Sequence, residues 1–249
     1  RCAKAFIAHY RWPPESLSTE HVKQWLLYLL KEKKRKPATV NVMIGALHFL
    51  FVTTLGRPEV MQGIRCVRRE HPAPNILSGG EVARLIEHAP SLKHKALFML
   101  MYGEGLRVGE ACWLQVEDID SARMVLHVRR AKGRHDRMVT LSTQTLNTLR
   151  AYFRECRPTG TLLFANQKTG VPITRNAVHA ALRRAGRAAG IDKAVHPHLL
   201  RHTYATHQLE IGTDLRAVQM LLGHRSLDST ARYTHMSDTR RQRLRSPLD

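Results

Sequence analysis

The sequence predicts a mainly α-helical protein with a small antiparallel β-sheet, divided into a helical domain and a mixed α+β domain. Three observations predict this class. Apolar residues recur at helical spacing through most of the 249 residues. A segment rich in proline and arginine, residues 65–75, separates two such regions. In the second region, two short stretches of β-forming residues flank a basic turn.

The first domain is predicted to be helical, and one helix lies in the stretch LSTEHVKQWLLYLLKEKKRK. Ser18 is a suitable N-cap, and Pro37 ends the pattern. Four apolar residues share one helical face: Val22, Trp25, Leu26 and Leu29. The stretch ATVNVMIGALHFLFVTTLG predicts a second helix that ends near Gly56. Its apolar positions include Val42, Leu47 and Leu50.

The boundary between the domains falls in RCVRREHPAPN, whose two prolines favour extended chain. A helix restarts at Ser78, which forms a capping-box pattern with Glu81 three residues later. We therefore expect a helical domain at residues 1–71, a linker at 72–77 and a second domain at 78–249. Because the chain begins at Arg1 rather than at a methionine, we also expect the first domain to be N-terminally incomplete.

The second domain continues with LKHKALFMLMYGEGLRVGEACWL, which predicts two helices around a glycine-containing turn. The stretches RMVLHV and RMVTLS predict two short strands, joined by the basic turn RRAKGRHD. From about residue 142 onward the pattern is helical with short loops. The domain is thus mixed α+β.

The charge of the chain predicts a polyanionic partner. Lysine and arginine number 40 against 20 acidic residues, a net charge of +20. Residues 1–77 carry about +8 and residues 78–249 about +12, so both domains are basic. This distribution favours nucleic acid bound along the whole body of the protein. A protein that binds membrane surfaces or ribosomes is the alternative that charge alone leaves open.

The four cysteines form no CxxC pair, and we interpret them as reduced structural thiols of a cytosolic protein. No apolar run is expected to span a membrane, and no signal-peptide pattern opens the chain. We expect a cytoplasmic, bacterial, nucleoid-associated protein with no membrane partner.

The stretch HPHLLRHTYATH, residues 196–207, raises a choice between a metal site and a phosphate site. His198 and His202 share a helical face, but His207 lies on the opposite side and no cysteine is near in the sequence. A zinc site needs three or four converging ligands, so metal is disfavoured. No metal or other cofactor is expected.

The phosphate interpretation rests on the start of the same helix. Pro197 suits the first helical position, and His198 and Arg201 lie three residues apart on one face. Free backbone N–H groups there favour an anion, and an arginine binds phosphate oxygens with two parallel hydrogen bonds. A helix whose histidine and arginine only bond surface carboxylates remains the alternative for this stretch alone.

Other stretches in the second domain extend this pattern. GEGLRVGE contains Arg107 and Glu110, the basic turn contains Lys132, and LLGHRSLDSTARYTH contains His224 and Tyr233. Together, in this order, they strongly resemble the tyrosine recombinase (phage integrase) family. The resemblance is closest to Xer-like recombinases and to transposon or phage integrases. It covers about residues 76–236, and the helices before residue 60 weakly resemble the family's helical core-binding domain.

The resemblance implies that DNA is cut and rejoined through a covalent 3′-phosphotyrosine, without metal or ATP. Tyr233 would be the nucleophile. Lys132 would protonate the leaving 5′-oxygen, and His198 would help to remove the proton of Tyr233. Three groups would bind the scissile phosphate: Arg107, Arg201 and His224. Glu110 could orient His198 or Arg107, and a plain surface role is the alternative.

Eight basic residues outside this set are expected to contact DNA. They are Lys33, Lys34, Arg35, Arg68, Arg69, Arg129, Arg130 and Arg134. For the run at 31–36, a solvated helix end is the alternative. The expected partners are double-stranded recombination sites, bound by a homotetramer formed as a dimer of dimers in synapsis. A second recombinase or an accessory protein is a further expected partner.

Two other functions are compatible with parts of the sequence. A binding protein built on a decayed recombinase would have the same charge and helices, but decay should remove an arginine or the tyrosine, and all expected positions are filled. A metal-dependent nuclease is disfavoured because the sequence has no acidic cluster of the kind that binds Mg²⁺. We therefore expect a recombinase.

Overall fold

The computed structural model describes residues 2–68, 75–129, 136–158, 160–166 and 169–223. These residues form ten α-helices and one three-stranded antiparallel sheet. The predicted class, mainly α with a small antiparallel sheet, is confirmed. The chain divides into two compact units, Arg1–Pro72 and Ala73–Asp249.

In the first unit, residues 2–68 form three α-helices: α1 (Cys2–Tyr10), α2 (Thr19–Lys31) and α3 (Pro37–His48). A π-helical stretch, Phe49–Thr54, continues α3, and a 3₁₀ turn follows at Pro58–Met61. The four apolar residues predicted for one face of α2 are all buried. At the centre of the core, the ring of Phe6 packs edge-on against Trp25 at 5.1 Å and against Phe51 at 6.0 Å between centroids.

The ends of α2 and α3 differ partly from the prediction. Ser18 is the N-cap of α2, as predicted, and its backbone N–H donates to Nδ1 of His21 at 3.1 Å. The helix ends at Lys31, before Pro37, and Pro37 instead occupies the first turn of α3. A proline is well suited there because the N–H that it lacks would have no partner within the helix.

The predicted apolar positions of α3 are buried only in part, since Leu47 is buried and Val42 is not. Val42 is 61% exposed, whereas Val40, Ile44, Leu47 and Phe51 are buried. The expectation that no run reaches membrane-spanning length was also too strict. Among the described residues, one helical stretch, Pro37–Thr54, is long and apolar enough to cross a membrane by length and composition alone, with a mean hydropathy of 1.4. Its buried face forms part of the core of the first unit.

The described residues of the second unit form seven α-helices and three strands. The helices are α4 (Gly79–Glu87), α5 (Leu92–Gly103), α6 (Val108–Cys112), α7 (Thr143–Cys156), α8 (Arg175–Ala188), α9 (Pro197–Glu210) and α10 (Leu215–Leu222). The strands are β1 (Ile119–Asp120), β2 (Val125–Val128) and β3 (Arg137–Thr140). The sheet order is β1-β2-β3, with Leu126 opposite Val139 and Val128 opposite Arg137. The two predicted strands therefore pair as expected, and the two-residue β1 was not predicted.

Helix α5 is the centre of the second unit. Its residues 96–101 are buried without interruption, and the helix contacts α7, α8 and α9. A helix that is apolar all round is typical of a core position. The predicted capping box begins α4: the Ser78 N–H donates to Oε2 of Glu81 at 2.7 Å, and the Glu81 N–H donates to Oγ of Ser78 at 3.2 Å. The turn that follows α5 leads directly into the candidate site.

Candidate active site

Helix α9 presents His198 and Arg201 to one cleft. Pro197 lies in its first turn, and Nδ1 of the N-cap His196 accepts a hydrogen bond from the Leu199 N–H at 3.1 Å. The cap and the proline fix where the helix begins. As predicted, His198 and Arg201 lie on the same face, and both line the cleft.

Two backbone carbonyl groups fix the side chain of Arg201. Its side chain is almost fully buried, and the residue is 3% exposed. Nη1 donates to the Gly105 carbonyl at 2.6 Å, and Nη2 donates to the Leu222 carbonyl. These two hydrogen bonds fix the plane of the guanidinium without cancelling its charge, since carbonyl oxygens are neutral. The two carbonyls therefore hold the guanidinium of Arg201 at the cleft in a fixed orientation.

The turn between α5 and α6 places Arg107 beside Arg201. Gly105 has φ +65°, and a Cβ at this position would lie 2.6 Å from the ring of Tyr204 on α9. Only glycine permits this backbone conformation and this close approach. The chain then brings Arg107 to the N-cap position of α6, where its backbone N–H donates to Oε2 of Glu110 at 2.8 Å.

The side chain of Arg107 makes two further contacts. Nη1 lies 2.7 Å from Oε1 of Glu110, and Nη2 donates to the Gly223 carbonyl at 3.1 Å. The side chain is 24% exposed, whereas that of Glu110 is 6% exposed. Glu110 thus contacts Arg107 through both of its carboxylate oxygens, and its side chain is largely buried.

These residues surround a cleft of about 640 Å³. Its basic lining residues are Arg107, Arg129, Arg175, His198 and Arg201. Its acidic lining residues are Glu110 and Asp118, and both carboxylates lie beside arginines. A cleft with this charge is suited to a phosphate group.

The environment sets the protonation of His198 and Glu110. Burial, followed by the charge of Arg201, lowers the pKa of His198, so the neutral imidazole is favoured. Burial of Glu110 would raise its pKa, but the hydrogen bonds and charge of Arg137, with those of Arg107, bring the pKa to about 2. The cleft therefore combines a neutral imidazole with a carboxylate that stays ionised.

A second carboxyl group near this turn, that of Glu104, has a raised pKa, whereas the pKa of Glu110 is lowered. Glu104 is 1% exposed, and its Oε1 accepts the Ser142 N–H at 3.1 Å. Its Oε2 is buried without a hydrogen-bond partner among the described residues. Burial raises the pKa of Glu104 to about 7, against the opposing hydrogen bond from Ser142. No pattern in the sequence pointed to this group.

Of the six residues predicted to act on DNA, three lie together in this cleft and three lie outside the described residues. Arg107, His198 and Arg201 line the cleft. Lys132, His224 and Tyr233 belong to the part of the chain that the structure does not describe. His224 directly follows Gly223, whose carbonyl binds Arg107.

The residues predicted to contact DNA are divided in the same way. Four are described and exposed in the first unit: Lys33, Lys34, Arg35 and Arg68. Three lie outside the described residues: Arg69, Arg130 and Arg134. Arg129 is exposed, and it lies 2.8 Å from Oε1 of Glu117 and 2.6 Å from Oδ1 of Asp118. Its charge is thus compensated by two carboxylates.

The other histidines and the tyrosine of α9 have structural contacts. The rings of His198 and His202 stack at 6.0 Å between centroids, and Nδ1 of His207 lies 2.9 Å from the Tyr102 hydroxyl. Tyr204 packs in a buried cluster with residues of α10. Among the described residues, no group of three or more His, Cys, Asp or Glu side chains could hold a metal ion.

Sequence reasoning missed two arginines of this region. Arg175 begins α8 and lies over Gly109, where a Cβ would come within 2.8 Å of its Nη2. Arg137 on β3 binds Glu110 with two hydrogen bonds. The alternation along β3 was a usable signal for Arg137, because Arg137 and the buried Val139 share a face of the strand.

Comparison with known proteins decides the family. The model of the phage integrase family matches residues 75–240, and the model of the phage integrase N-terminal SAM-like domain matches residues 1–59. The chain belongs to the phage integrase family of tyrosine recombinases. The predicted resemblance is confirmed, and the chain is a tyrosine-type site-specific recombinase.

Two curated relatives show how far this tyrosine recombinase resembles known ones. The integrase/recombinase-type protein y4qK of Sinorhizobium fredii is 39% identical over 250 residues, which cover 100% of this chain and 81% of the relative. The tyrosine recombinase XerA of Pyrococcus furiosus is 35% identical over 212 residues, which cover 84% of this chain and 73% of the relative. The similarity therefore extends across both units.

Solved structures agree with the fold of this recombinase. The XerA recombinase crystal structure matches 98% of this chain and 90% of its own, at 29% identity and a TM-score of 0.63. XerH bound to its palindromic difH substrate matches 92% and 72%, at 23% identity and a TM-score of 0.78. A λ integrase dimer bound to a core site has a TM-score of 0.75 at 20% identity, covering 98% and 89%. The last two support the fold alone.

Proposed function

We propose that this recombinase breaks and rejoins DNA at specific sites through a covalent 3′-phosphotyrosine formed by Tyr233. The convergence of Arg107, His198 and Arg201 on one cleft carries the proposal. These side chains come from parts of the chain about 90 residues apart, and each arginine is oriented by contacts within the protein.

The two arginines would stabilise the charge that develops on the scissile phosphate. The guanidinium groups of Arg107 and Arg201 would bind its non-bridging oxygens, with His224 donating a further hydrogen bond. Fixed donors of this kind contribute roughly 10²–10³ in rate each, by analogy with oxyanion holes. Because the arginines supply the positive charge, the reaction would need no metal.

Tyr233 would attack the phosphorus and release a 5′-hydroxyl. An unperturbed phenol has a pKa of about 10, so the phosphotyrosine remains reactive and the hydroxyl can reverse the attack without ATP. His198 would accept the phenol proton, and its lowered pKa favours the neutral form that this step requires. Lys132 would protonate the leaving 5′-oxygen.

The proposed partners are double-stranded recombination sites. The charge of +20 supports contacts with the DNA backbone along both units. We propose that four protomers assemble as a dimer of dimers on two sites, and that a second recombinase or an accessory protein takes part. The λ integrase dimer bound to a core site is a precedent for assembly on DNA in a protein of the same fold.

Covalent trapping tests the proposal. Full-length protein is mixed with a nicked, randomised duplex library in EDTA, the reaction is stopped with SDS, and the DNA that stays attached is sequenced. We expect adducts from the wild type and from the control variant Tyr10→Phe, and none from Tyr233→Phe. An adduct formed by Tyr233→Phe would overturn the assignment of the nucleophile. A wild type that binds DNA without any adduct would favour a binding protein instead.

A further inference from the structure

Three arginines bind three successive carbonyls at the end of α10. Leu221 accepts from Nε of Arg137 at 2.8 Å, Leu222 accepts from Nη2 of Arg201, and Gly223 accepts from Nη2 of Arg107 at 3.1 Å. Carbonyls at the end of a helix have no partner within it, and they attract positive charge. The proposed catalytic pair accounts for two of these arginines. Arg137 has no role yet.

Arg137 also binds Glu110 with both ends of its guanidinium. Nη1 donates to Oε1 at 3.0 Å, and Nη2 donates to Oε2 at 2.8 Å. The side chains are 10% and 6% exposed, so this pair is shielded from solvent. Two parallel hydrogen bonds between an arginine and a carboxylate are strong and directional. Arg137 therefore fixes the position of Glu110.

The arrangement divides the negative charge of Glu110 between two cations. If Glu110 faced Arg107 alone, the two charges would cancel and leave Arg107 with little attraction for a phosphate. With Arg137 present, one carboxylate is shared by two guanidinium groups. Together with Arg201, the cluster then has a net charge of +2 rather than +1.

Arg137 lies behind Glu110 and does not line the cleft, whereas Arg107, Glu110 and Arg201 do. Its side chain packs closely against the end of α10, since a Cβ at Gly223 would lie 3.3 Å from its Cδ. In the sequence, Arg137 comes five residues after Lys132, and the helix end that it binds comes just before His224.

We infer that Arg137 is a positioning residue of the recombination reaction: it takes up the charge of Glu110 and holds the end of α10, which leaves Arg107 free to bind the scissile phosphate. The inference rests on the proposed function and adds a residue that does not touch DNA. Its effect is exerted through Arg107.

Single-turnover cleavage tests the inference. A nicked duplex that traps the adduct is mixed with excess full-length protein, and the rate of adduct formation is followed for the wild type, Arg137→Gln, Arg137→Lys and the double variant Glu110→Gln/Arg137→Gln. DNA affinity and the melting temperature are measured in parallel. Lys93→Gln serves as the control, because Lys93 also donates to a backbone carbonyl, that of Ala165 at 2.8 Å, and neither residue lines the cleft.

We expect Arg137→Gln to slow cleavage by about 10- to 100-fold, the loss that follows from a displaced catalytic group. Arg137→Lys keeps the charge but cannot bridge both carboxylate oxygens, so we expect a smaller loss. The double variant should regain about tenfold over Arg137→Gln, because the neutral amide that replaces the Glu110 carboxylate no longer cancels the charge of Arg107. Lys93→Gln should cleave at the wild-type rate.

The recovery separates a positioning role from a structural one. A merely structural ion pair predicts that the cleavage rate only follows the melting temperature across the variants, because removal of one partner of a buried ion pair destabilises the fold more than removal of both. A rate loss confined to temperatures at which Arg137→Gln is partly unfolded would therefore overturn the inference, as would a double variant that cleaves no faster than Arg137→Gln where both are folded. Wild-type rates in Arg137→Gln would overturn it as well. A wild type that forms no Tyr233-dependent adduct would instead overturn the proposed function.

Discussion

The stability of the protein should depend on the ionisation of Glu104. The group is buried, its Oε2 lacks a hydrogen-bond partner among the described residues, and its pKa is raised from 4.5 to about 7. A raised carboxyl pKa means that the folded state resists ionisation more than the unfolded state does. The contribution of this group to stability is therefore highest below pH 4.5 and is lost as the pH rises through about 7. The change Glu104→Gln should remove this dependence.

The size of the effect follows from the difference between the two pKa values. A difference of about 2.5 units corresponds to about 3 kcal/mol of destabilisation at pH 8, of which about 1 kcal/mol is already present at pH 5. Between pH 5 and pH 8, the wild type should lose about 2 kcal/mol from this group. A buried glutamine amide has its own unsatisfied donor, which costs about 1–3 kcal/mol at every pH. The change with pH is therefore the decisive quantity.

Urea denaturation of full-length protein from pH 5 to pH 8 measures this change. The free energy of unfolding of Glu104→Gln, relative to that of the wild type, should increase by about 2 kcal/mol over this range. Glu155→Gln is the control, since Glu155 lies exposed on α7. If the difference between Glu104→Gln and the wild type stayed constant from pH 5 to pH 8, the reasoning would be refuted.

Two further predictions concern the base and a helix cap. Burial and the charge of Arg201 lower the pKa of His198, so the acid limb of wild-type cleavage should be centred below pH 6.5. A single-turnover pH profile checks this, and an acid limb centred above pH 6.5 would contradict it. Ser78→Ala should lower the free energy of unfolding by about 1 kcal/mol through loss of the N-cap of α4. Ser16→Ala, which removes an exposed hydroxyl outside any α-helix, should lower the free energy of unfolding less. Urea denaturation of both variants measures the difference.

The sequence predicted those parts of the fold that depend on local patterns. The spacing of Trp25, Leu26 and Leu29 identified the buried face of α2, and Ser78 with Glu81 identified the start of α4. In α3 the apolar residues lie on several faces. Periodicity could therefore not show that Val40 and Ile44 would be buried while Val42 would be exposed.

Prediction of the site was limited by contacts between distant segments. His198 and Arg201 could be placed on one face because they are three residues apart on a single helix. The partnership of Arg137 with Glu110 joins residues 27 apart, and the burial of Glu104 depends on Ser142, 38 residues further along the chain. No local pattern determines such pairs, since they depend on how α6, α7 and β3 pack.

The contacts of Arg107 and Arg201 have a consequence for the order of events during synthesis. Arg201 binds a carbonyl 96 residues earlier in the chain, and Arg107 binds one 116 residues later. At a synthesis rate of roughly 5–20 residues per second, Gly223 is added about 6–23 s after Arg107. The pair of arginines reaches its final geometry only once the chain has been made as far as Gly223. A nascent chain that stops earlier thus has no finished site with which to break DNA.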